Sequence, residues 1–580
     1  MPISASSPSH RMPITTRLIP LLITVVVLLG AANASAKNLL SAEWKVEKAG
    51  MVEKLDSSLT TERWPTVNIG ISWQRQGYNT DSGELILAQD FRMPRDCVNS
   101  AGTPYLLALN LQSRISEIRL DGRKLAENLN FQISGPTVIE IPAEQLAPGT
   151  RHQLALRLKA QFTGGTCQNL LTLSHPSFGP DDKLTLSANT EDCVFRQGAD
   201  PTFKLDYRRG DHRTGNIKLT VVSDSRQTIV TRSLKPELED RLQTVTLLRS
   251  LFTPGIYHLI ASTDGEFFVQ SDLWFAVDPD QISCPDEAVP LLKEWWAKTL
   301  AEFANIPPEF KVTQKAENEH KIAYLVEMMS WDQVKIYAWL VVPKAPGTYP
   351  AILHVPGYGQ GYKTPDKWLM NPEPVVELAV CIRGHGFSTE TINPGFALIG
   401  GFVGYSISDP QTYIYRGAYL DCLRAVDFLC TRPEVDNTRI GVMGMSQGGG
   451  LALATAALAG NKIKACAAGC PFLCDLGHFS VVQPCFKHEM DYYAHASRCE
   501  FSTVEATLRY FDVKYLAGGI TASVLLGTGL YDDDCPSHTG LSAYHEIRAK
   551  KDCKIYPKQG HGLMTFATEG RNFLRQELGF

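Results

Sequence analysis

Ser446 stands between two glycines in the pattern G-x-S-x-G, with an apolar run before it and a segment rich in alanine and leucine after it. A serine hydroxyl becomes a strong nucleophile only when a general base takes its proton, and that base needs a carboxylate to orient it. An acidic run, Asp532 to Asp534, follows Ser446 in the chain, and His561 follows that run. These residue types predict nucleophilic catalysis, with Ser446 as nucleophile, one of the three aspartates as acid and His561 as base.

Two elements must position the serine. Arg439 to Met443 has the apolar character of a buried strand, and Gly448 to Ala459 has the composition of a helix. The glycines at 444 and 448 allow a turn too tight for larger side chains, so the serine projects above the sheet at a helix N-terminus. The structural alternative is a serine that only shapes the bend.

The negative oxygen of a tetrahedral intermediate needs two backbone N–H donors. One donor is predicted to be Gln447, directly after the serine. The other is predicted to be Tyr358 in the segment HVPGYGQG, where glycines on both sides let the backbone approach a ligand. The aspartates and His561 each follow an apolar strand-like segment, in the chain order serine, acid, histidine.

The chain predicts three folded units. Residues 37–176 show short alternating strands and turns, one of them at Asp121-Gly122, and predict an all-β sandwich that loosely resembles jelly-roll, sugar-binding-like modules. Residues 177–280 predict a second, immunoglobulin-like sandwich. Residues 281–580 alternate strands and helices, which predicts a mostly parallel sheet covered by helices.

The first 36 residues predict a signal peptide. Arg11 and Arg17 precede the short apolar run Leu18–Leu29, and Ala34-Ser35-Ala36 is a small-residue cleavage site. The run is short for a membrane span, and an uncleaved anchor is the alternative. The protein is therefore expected to be exported to the periplasm or the extracellular space, without a stable membrane span after cleavage. The net charge of −5, with no basic stripe, argues against a nucleic-acid partner.

The C-terminal half resembles the acetyl xylan esterase and cephalosporin-C deacetylase family, carbohydrate esterase family 7 of the α/β-hydrolases. The segments that carry the resemblance are HVPGYG, RGHG at Arg383–Gly386, DPQTYIYRGAYLDCLRAVDFL, RIGVMGMSQGGG, PFLCDL and GLYDDDCP. The resemblance implies a serine esterase that removes acetyl groups from sugars without a cofactor or metal. It implies Ser446, Asp532 and His561 as the catalytic residues, and backbone amides of Tyr358 and Gln447 as the oxyanion hole.

Two residues depart from the pattern of that family. His385 replaces the glutamine of Arg-Gly-Gln, and Gly562 replaces the glutamate of His-Glu. Both are interpreted as changes at the pocket rim that bear on the substrate. Asp533 and Asp534 are expected to face solvent. Many members of the family form closed hexamers, and about 240 additional N-terminal residues would interfere with that assembly. Because all proposed catalytic residues lie in 281–580, that fragment is expected to act alone on small esters.

Other interpretations are open at this stage. Cys466, Cys470, Cys474 and His478 recur every four residues and would share one face of a helix, where they could bind zinc. Pro471 interrupts such a helix, so buried or oxidised cysteines are favoured. Cys97 and Cys167 are a plausible disulfide pair. The functional alternatives are a serine peptidase of the prolyl oligopeptidase type and a carbohydrate-binding protein with an inactive hydrolase domain.

Overall fold

The computed structural model describes much of the chain after residue 36. Within residues 37–580 it leaves out the segments 53–54, 57, 70–72, 74–75, 79–82, 98, 100–101, 112, 130–135, 161–169, 176–177, 179–181, 209–215, 236–241, 265–266, 284–287 and 397–400. The predicted signal peptide, residues 1–36, and Cys167 of the suggested disulfide lie outside the described residues. Cys97 is buried.

The first unit contains two antiparallel sheets. Its strands are β1 Glu43–Lys48, β2 Thr66–Asn68, β3 Glu84–Arg92, β4 Tyr105–Asn110, β5 Ser113–Leu120, β6 Arg123–Leu129, β7 Thr137–Ile141, β8 Arg151–Ala160 and β9 Leu170–Ser174. One sheet has the order β2-β1-β3-β8-β5-β6 and the other the order β7-β4-β9. Residues of both sheets, such as Leu87 and Leu107, belong to one buried cluster. That the two sheets form a jelly-roll-like sandwich stays a prediction.

The turn between β5 and β6 follows from its sequence. Asp121 and Gly122 both have positive φ angles, 49° and 77°, which is the conformation that a tight hairpin turn requires.

The second unit also contains two sheets. Its strands are β10 Lys183–Ala188, β11 Val194–Phe195, β12 Thr202–Arg208, β13 Ile217–Ser223, β14 Thr228–Leu234, β15 Leu242–Thr246, β16 Gly255–Thr263 and β17 Gln270–Val277. The sheet orders are β10-β12-β15 and β11-β17-β16-β13-β14. All pairings are antiparallel except that of β11 with β17. The immunoglobulin-like sandwich stays a prediction as well.

The C-terminal unit is built on a nine-stranded sheet of order β18-β19-β20-β22-β21-β23-β24-β25-β26. Its strands are β18 Lys311–Glu317, β19 Lys321–Met329, β20 Lys335–Pro343, β21 Tyr349–His354, β22 Val376–Cys381, β23 Val435–Met445, β24 Ala465–Gly469, β25 Ser523–Gly529 and β26 Lys551–Tyr556. Its helices are α1 Leu292–Ala304, α2 Asp366–Leu369, α3 Ile414–Cys430, α4 Gln447–Ala459, α5 Leu476–Val482, α6 Pro484–Ala496, α7 Phe501–Arg509, α8 Val513–Leu516, α9 Ser537–Glu546 and α10 Phe566–Leu578. The strands from β22 to β26 are parallel, as the alternation of apolar runs and helices predicts.

The second unit and the C-terminal unit share a core. Buried residues of β12, β16 and β17 belong to the same cluster as those of the nine-stranded sheet and its helices. Polar contacts cross the same junction: the hydroxyl of Tyr531 donates to the carbonyl of Asp272 at 3.4 Å, and His545 Nδ1 lies 3.1 Å from the carbonyl of Asp280. The change of sequence pattern near residue 280 therefore marks a change of secondary structure, while one hydrophobic core continues across it.

Both β-rich units contact the segment that contains α5 and α6. The guanidinium of Arg226 donates to the carbonyl of Val481 at 3.4 Å. In the first unit, Gly77 lies so close to α6 that a Cβ on it would be 3.5 Å from the Cβ of Pro484. In the described part of the chain, none of the helices combines the length and the apolar character that a membrane span requires.

A buried ion pair at the junction predicts a pH-dependent stability. His538 Nδ1 of α9 lies 2.7 Å from the carboxylate of Asp224, and the ring of His478 stacks on the His538 ring with centroids 3.9 Å apart. Burial lowers the pKa of His538, but the hydrogen bond and charge of Asp224 raise it by more, so the net pKa is raised. Nearby Asp475 adds to this rise, and Lys514 opposes it.

Because the folded-state pKa of His538 is above its unfolded value of about 6.5, the stabilisation is fully present below about pH 6.5 and is lost as the pH rises through the folded value. We expect His538→Gln to remove this part of the pH dependence when unfolding by urea is measured between about pH 6 and 9. His320→Gln is the control, since that side chain is 72% exposed. An unchanged pH dependence in His538→Gln would contradict the expectation.

Candidate active site

The chain turns sharply at Ser446, between β23 and α4. Its φ and ψ angles are 61° and −126°, and residues other than glycine rarely adopt this backbone conformation. A Cβ on Gly444 would lie 2.4 Å from the carbonyl oxygen of Gly448, and one on Gly448 would lie 2.6 Å from that of Val355. The two glycines of G-x-S-x-G are therefore required by close backbone contacts, as the sequence predicts.

Ser446, His561 and Asp532 are joined by hydrogen bonds. His561 Nε2 lies 2.9 Å from Ser446 Oγ, and His561 Nδ1 lies 3.1 and 3.0 Å from the two carboxylate oxygens of Asp532. Asp532 comes from the loop after β25 and His561 from the loop after β26. Because adjacent parallel strands end at one edge of the sheet, three residues far apart in the chain meet there.

The carboxylate of Asp532 is also held by backbone hydrogen bonds from its own loop. It is fully buried, and its Oδ1 accepts hydrogen bonds from the backbone N–H groups of Asp534 at 3.0 Å and Cys535 at 2.8 Å. Burial lowers the pKa of His561, but the charge and hydrogen bond of Asp532 outweigh it, and the net pKa is raised. This arrangement stabilises a proton on the imidazole, which a general base needs.

The other two aspartates are not simply solvent-facing. Asp533 and Asp534 are both half-buried, so the expectation that they face solvent is wrong. The backbone carbonyl of Asp533 accepts a hydrogen bond from Gln483 Nε2 at 2.8 Å. Burial raises the pKa of Asp534 to about 7, although the neighbouring His561 opposes the shift. The contact of this loop with Gln483, the residue before α6, is not revealed by the sequence pattern.

Tyr358 and Gln447 are the residues predicted to supply the two backbone donors of the oxyanion hole. Tyr358 lies in the turn after β21, and Gln447 is the first residue of α4. Among the described residues, neither backbone N–H donates a hydrogen bond to another protein group. This is the state expected of donors that await an anionic oxygen.

The two departures from the family pattern lie in different surroundings. Gly562 is exposed, and a Cβ on it would meet no atom within 4 Å, which fits the rim of the site. His385 is fully buried, so the interpretation that it lies at the rim is wrong. Its Nε2 lies 3.0 Å from the side-chain amide of Gln447, and its Nδ1 lies 3.1 Å from the carbonyl of Arg383.

The repeat of Cys466, Cys470, Cys474 and His478 does not form one face. Cys466 lies in β24, Cys470 and Cys474 lie in the following loop, and His478 lies in α5. The three cysteines are buried as thiols, in agreement with the interpretation that favours buried cysteines. The thiol of Cys470 donates to the carbonyl of His561 at 3.4 Å.

Two other groups of possible metal ligands occur in the described part of the chain. One contains Cys470 together with Asp532 and His561, and the other contains Asp224, His478 and His538. In the first, Nδ1 of His561 faces Asp532, so a metal bound to both would replace the hydrogen bond between them. In the second, the two imidazole rings are stacked at an interplanar angle of 27°, and His538 Nδ1 already lies 2.7 Å from the carboxylate of Asp224.

Sequence reasoning missed the contacts around the two predicted oxyanion donors. The hydroxyl of Tyr415 donates to Gln447 Oε1 at 2.7 Å, and the aromatic rings of Phe396 and Phe402 pack edge-on against His385. The only signals in the sequence are the segment that contains Tyr415 and the substitution at 385, and neither indicates a contact with Gln447.

The sheet order and the turn at Ser446 define an α/β-hydrolase fold in the C-terminal unit. Residues 286–576 match the acetyl xylan esterase (AXE1) family. The chain belongs to this family, and it is a carboxylic-ester hydrolase of the acetyl esterase, serine hydrolase type. The resemblance noted in the sequence is thus confirmed, and the peptidase alternative is set aside.

Similar proteins match the C-terminal half. The acetyl esterase Axe7A of Xylanibacter ruminicola is 26% identical over 324 residues, which are 53% of this chain and 71% of that protein. The acetyl xylan esterase of Paenibacillus sp. R4 is 30% identical, covers 52% of this chain and 98% of its own, and has a TM-score of 0.48. Acetyl xylan esterase 1 of Thermoanaerobacterium sp. JW/SL YS485 is 27% identical, and the match covers 51% of this chain and 97% of that protein, with a TM-score of 0.47.

Proposed function

We propose that the protein is an exported esterase that hydrolyses acetyl esters of carbohydrates through Ser446, His561 and Asp532. The observation that carries the mechanism is the hydrogen-bonded series from Ser446 Oγ to His561 and on to Asp532. The carbohydrate substrate is supported by the match to the acetyl xylan esterase family. Export is supported by the N-terminal sequence pattern.

In the proposed reaction, Ser446 Oγ attacks the ester carbonyl carbon while His561 Nε2 takes the hydroxyl proton. The carbonyl oxygen becomes an oxyanion and accepts hydrogen bonds from the backbone N–H groups of Tyr358 and Gln447. His561 then gives its proton to the departing sugar oxygen as the C–O bond breaks, which releases the sugar hydroxyl and leaves an acetyl-serine.

Water completes the proposed cycle. His561 takes a proton from the water, whose oxygen attacks the acetyl carbonyl, and the proton returns to Ser446 Oγ as acetate leaves. Asp532 holds the His561 tautomer with hydrogen on Nδ1 and stabilises the imidazolium. Each step uses only side chains and backbone donors of the C-terminal unit.

Chain-length selectivity tests the acetyl assignment. We expect kcat/KM to be highest for acetyl esters and to fall at least about tenfold towards octanoyl esters, because each misplaced methylene costs about 1–3 kcal/mol at a fitted pocket. The measurement compares 4-nitrophenyl acetate, butyrate and octanoate with an acetylated xylo-oligosaccharide. Ser446→Ala is the control and should be inactive on all four.

A preference for octanoyl esters, or cleavage of proline peptides in place of esters, would contradict the acetyl assignment. Activity on the 4-nitrophenyl esters combined with none on acetylated sugars would leave the esterase chemistry intact and contradict the carbohydrate substrate.

A further inference from the structure

The side chain of Gln447 links the two segments that supply the proposed oxyanion donors. It is fully buried, and its Nε2 lies 3.4 Å from the carbonyl oxygen of Pro356. Pro356 precedes Tyr358 by two residues in the turn after β21. One residue therefore contributes its own N–H and also ties its side chain to the segment that carries the other N–H.

The remaining hydrogen-bonding positions of the Gln447 amide are also occupied. Its Oε1 accepts from the hydroxyl of Tyr415 at 2.7 Å, and its Nε2 lies 3.0 Å from His385 Nε2. An amide nitrogen carries two hydrogens, so one can donate to Pro356 and the other to the imidazole. The amide is thus oriented by three different elements: α3, the turn after β21 and the turn after β22.

His385 can accept this hydrogen bond only in one form. Its Nδ1 lies 3.1 Å from the carbonyl of Arg383, so Nδ1 carries the hydrogen and Nε2 is the acceptor. Burial lowers the pKa of His385 to about 4, which keeps the ring neutral at ordinary pH.

Arg383 itself is held firmly. Its guanidinium donates to both carboxylate oxygens of the buried Asp421 at 2.9 Å, and its backbone N–H donates to the same carboxylate at 2.9 Å. A buried, bidentate pair of this kind fixes the backbone locally. The carbonyl that sets the His385 tautomer therefore has a defined position.

We propose that His385 is a positioning residue for the oxyanion hole: its neutral imidazole orients the Gln447 amide against Pro356 and so sets the separation of the Tyr358 and Gln447 backbone N–H groups. This inference rests on the proposed function, since it assumes that those two groups bind the oxyanion. His385 is buried behind Gln447 and acts through that residue.

Preorganisation gives the expected size of the effect. Removing one oxyanion donor outright costs about 10²–10³ in kcat, and a donor that is present but loosely oriented should cost less. We expect His385→Leu to lower kcat about 10–100-fold with KM changed less than about threefold, because the donors act on the transition state more than on the bound ester. His385→Gln, whose side-chain oxygen can accept from Gln447, should recover most of the lost kcat.

A tetrahedral inhibitor separates positioning from general structural damage. A boronic acid that forms an adduct with Ser446 places an oxygen in the oxyanion hole, so its inhibition constant should rise in His385→Leu by about the same factor as kcat falls. Gln447→Leu keeps the backbone N–H and removes the amide. The double variant His385→Leu/Gln447→Leu should therefore be little worse than the poorer single variant.

The outcomes are distinct. A normal kcat in folded His385→Leu overturns the inference, and so does a lowered kcat with unchanged boronic acid affinity. If circular dichroism shows that His385→Leu does not fold, Tyr415→Phe takes its place. That variant removes the hydrogen bond to Gln447 Oε1, and a normal kcat or an unchanged boronic acid affinity would again overturn the inference. Ser446→Ala is assayed in parallel: if it remains active, the proposed function fails and this inference with it, whereas an inactive Ser446→Ala confines any failure to His385.

Discussion

Replacing Asp532 with asparagine is expected to lower kcat by about 10⁴-fold, as the loss of the acid does in other Ser-His-Asp systems. The carboxylate lies 3.0 Å from His561 Nδ1 and is fully buried, so no solvent can replace its charge. Asparagine would keep the shape and present an amide that can favour the wrong imidazole tautomer. Steady-state kinetics on 4-nitrophenyl acetate measure the loss, and thermal unfolding checks that the variant folds.

Asp533→Asn is the matched control, since it changes the neighbouring residue in the same loop by the same chemistry. Asp533 is half-buried, and Nδ1 of His561 already lies within hydrogen-bonding distance of both oxygens of Asp532. We expect it to lose less than about tenfold in kcat. If Asp533→Asn lost most of its kcat while Asp532→Asn kept a normal kcat, the assignment of the acid would be wrong.

A fragment of residues 281–580 is expected to be poorly soluble and to show less than about a tenth of the activity of the full chain, whereas a fragment of residues 177–580 should keep activity on small esters. The sequence suggested that 281–580 would suffice, because all proposed catalytic residues lie there. The core shared by the second unit and the C-terminal unit changes this expectation. Burial of one large apolar side chain contributes about 1.5–3 kcal/mol, so exposing several would remove much of a typical stability of about 5–15 kcal/mol.

Expression of the two fragments side by side tests this expectation. Size-exclusion chromatography reports solubility, thermal unfolding reports the fold, and turnover of 4-nitrophenyl acetate reports the site. A soluble, folded 281–580 fragment with full activity would show that the shared core is dispensable. An inactive but folded 177–580 fragment would show that the first unit shapes the site, through its contact with Pro484 of α6.

The parts of the site that could be predicted from the sequence are those set by local structure. The strand, turn and helix around Ser446 follow from a few adjacent residues, and the order of the aspartate run and His561 follows from parallel strands that end at one edge. The choice of Asp532 among three aspartates needed the family resemblance. The conformation of that loop depends on how it packs against α6 and β25.

The contacts that escaped prediction join residues far apart in the chain. His385 and Gln447 are separated by 62 positions, and a histidine in place of glutamine indicates only that the surroundings differ. The domain boundary near residue 280 is predicted from a local change of sequence pattern. Whether the apolar faces of the two neighbouring units pack against each other depends on tertiary contacts, which the hydrophobic periodicity of the sequence does not report.

The positive φ angle of Ser446, 61°, has a consequence for how the protein is handled in the laboratory. A non-glycine residue in such a conformation costs about 1–3 kcal/mol, so the fold is destabilised at the residue that we propose as the nucleophile. A glycine there would remove both the proposed nucleophile and the strain, and the resulting protein would be a misleading reference in stability or ligand-binding measurements. Alanine keeps the Cβ and hence the strain, and is therefore the better inactive reference for crystallisation with substrates and for calorimetry.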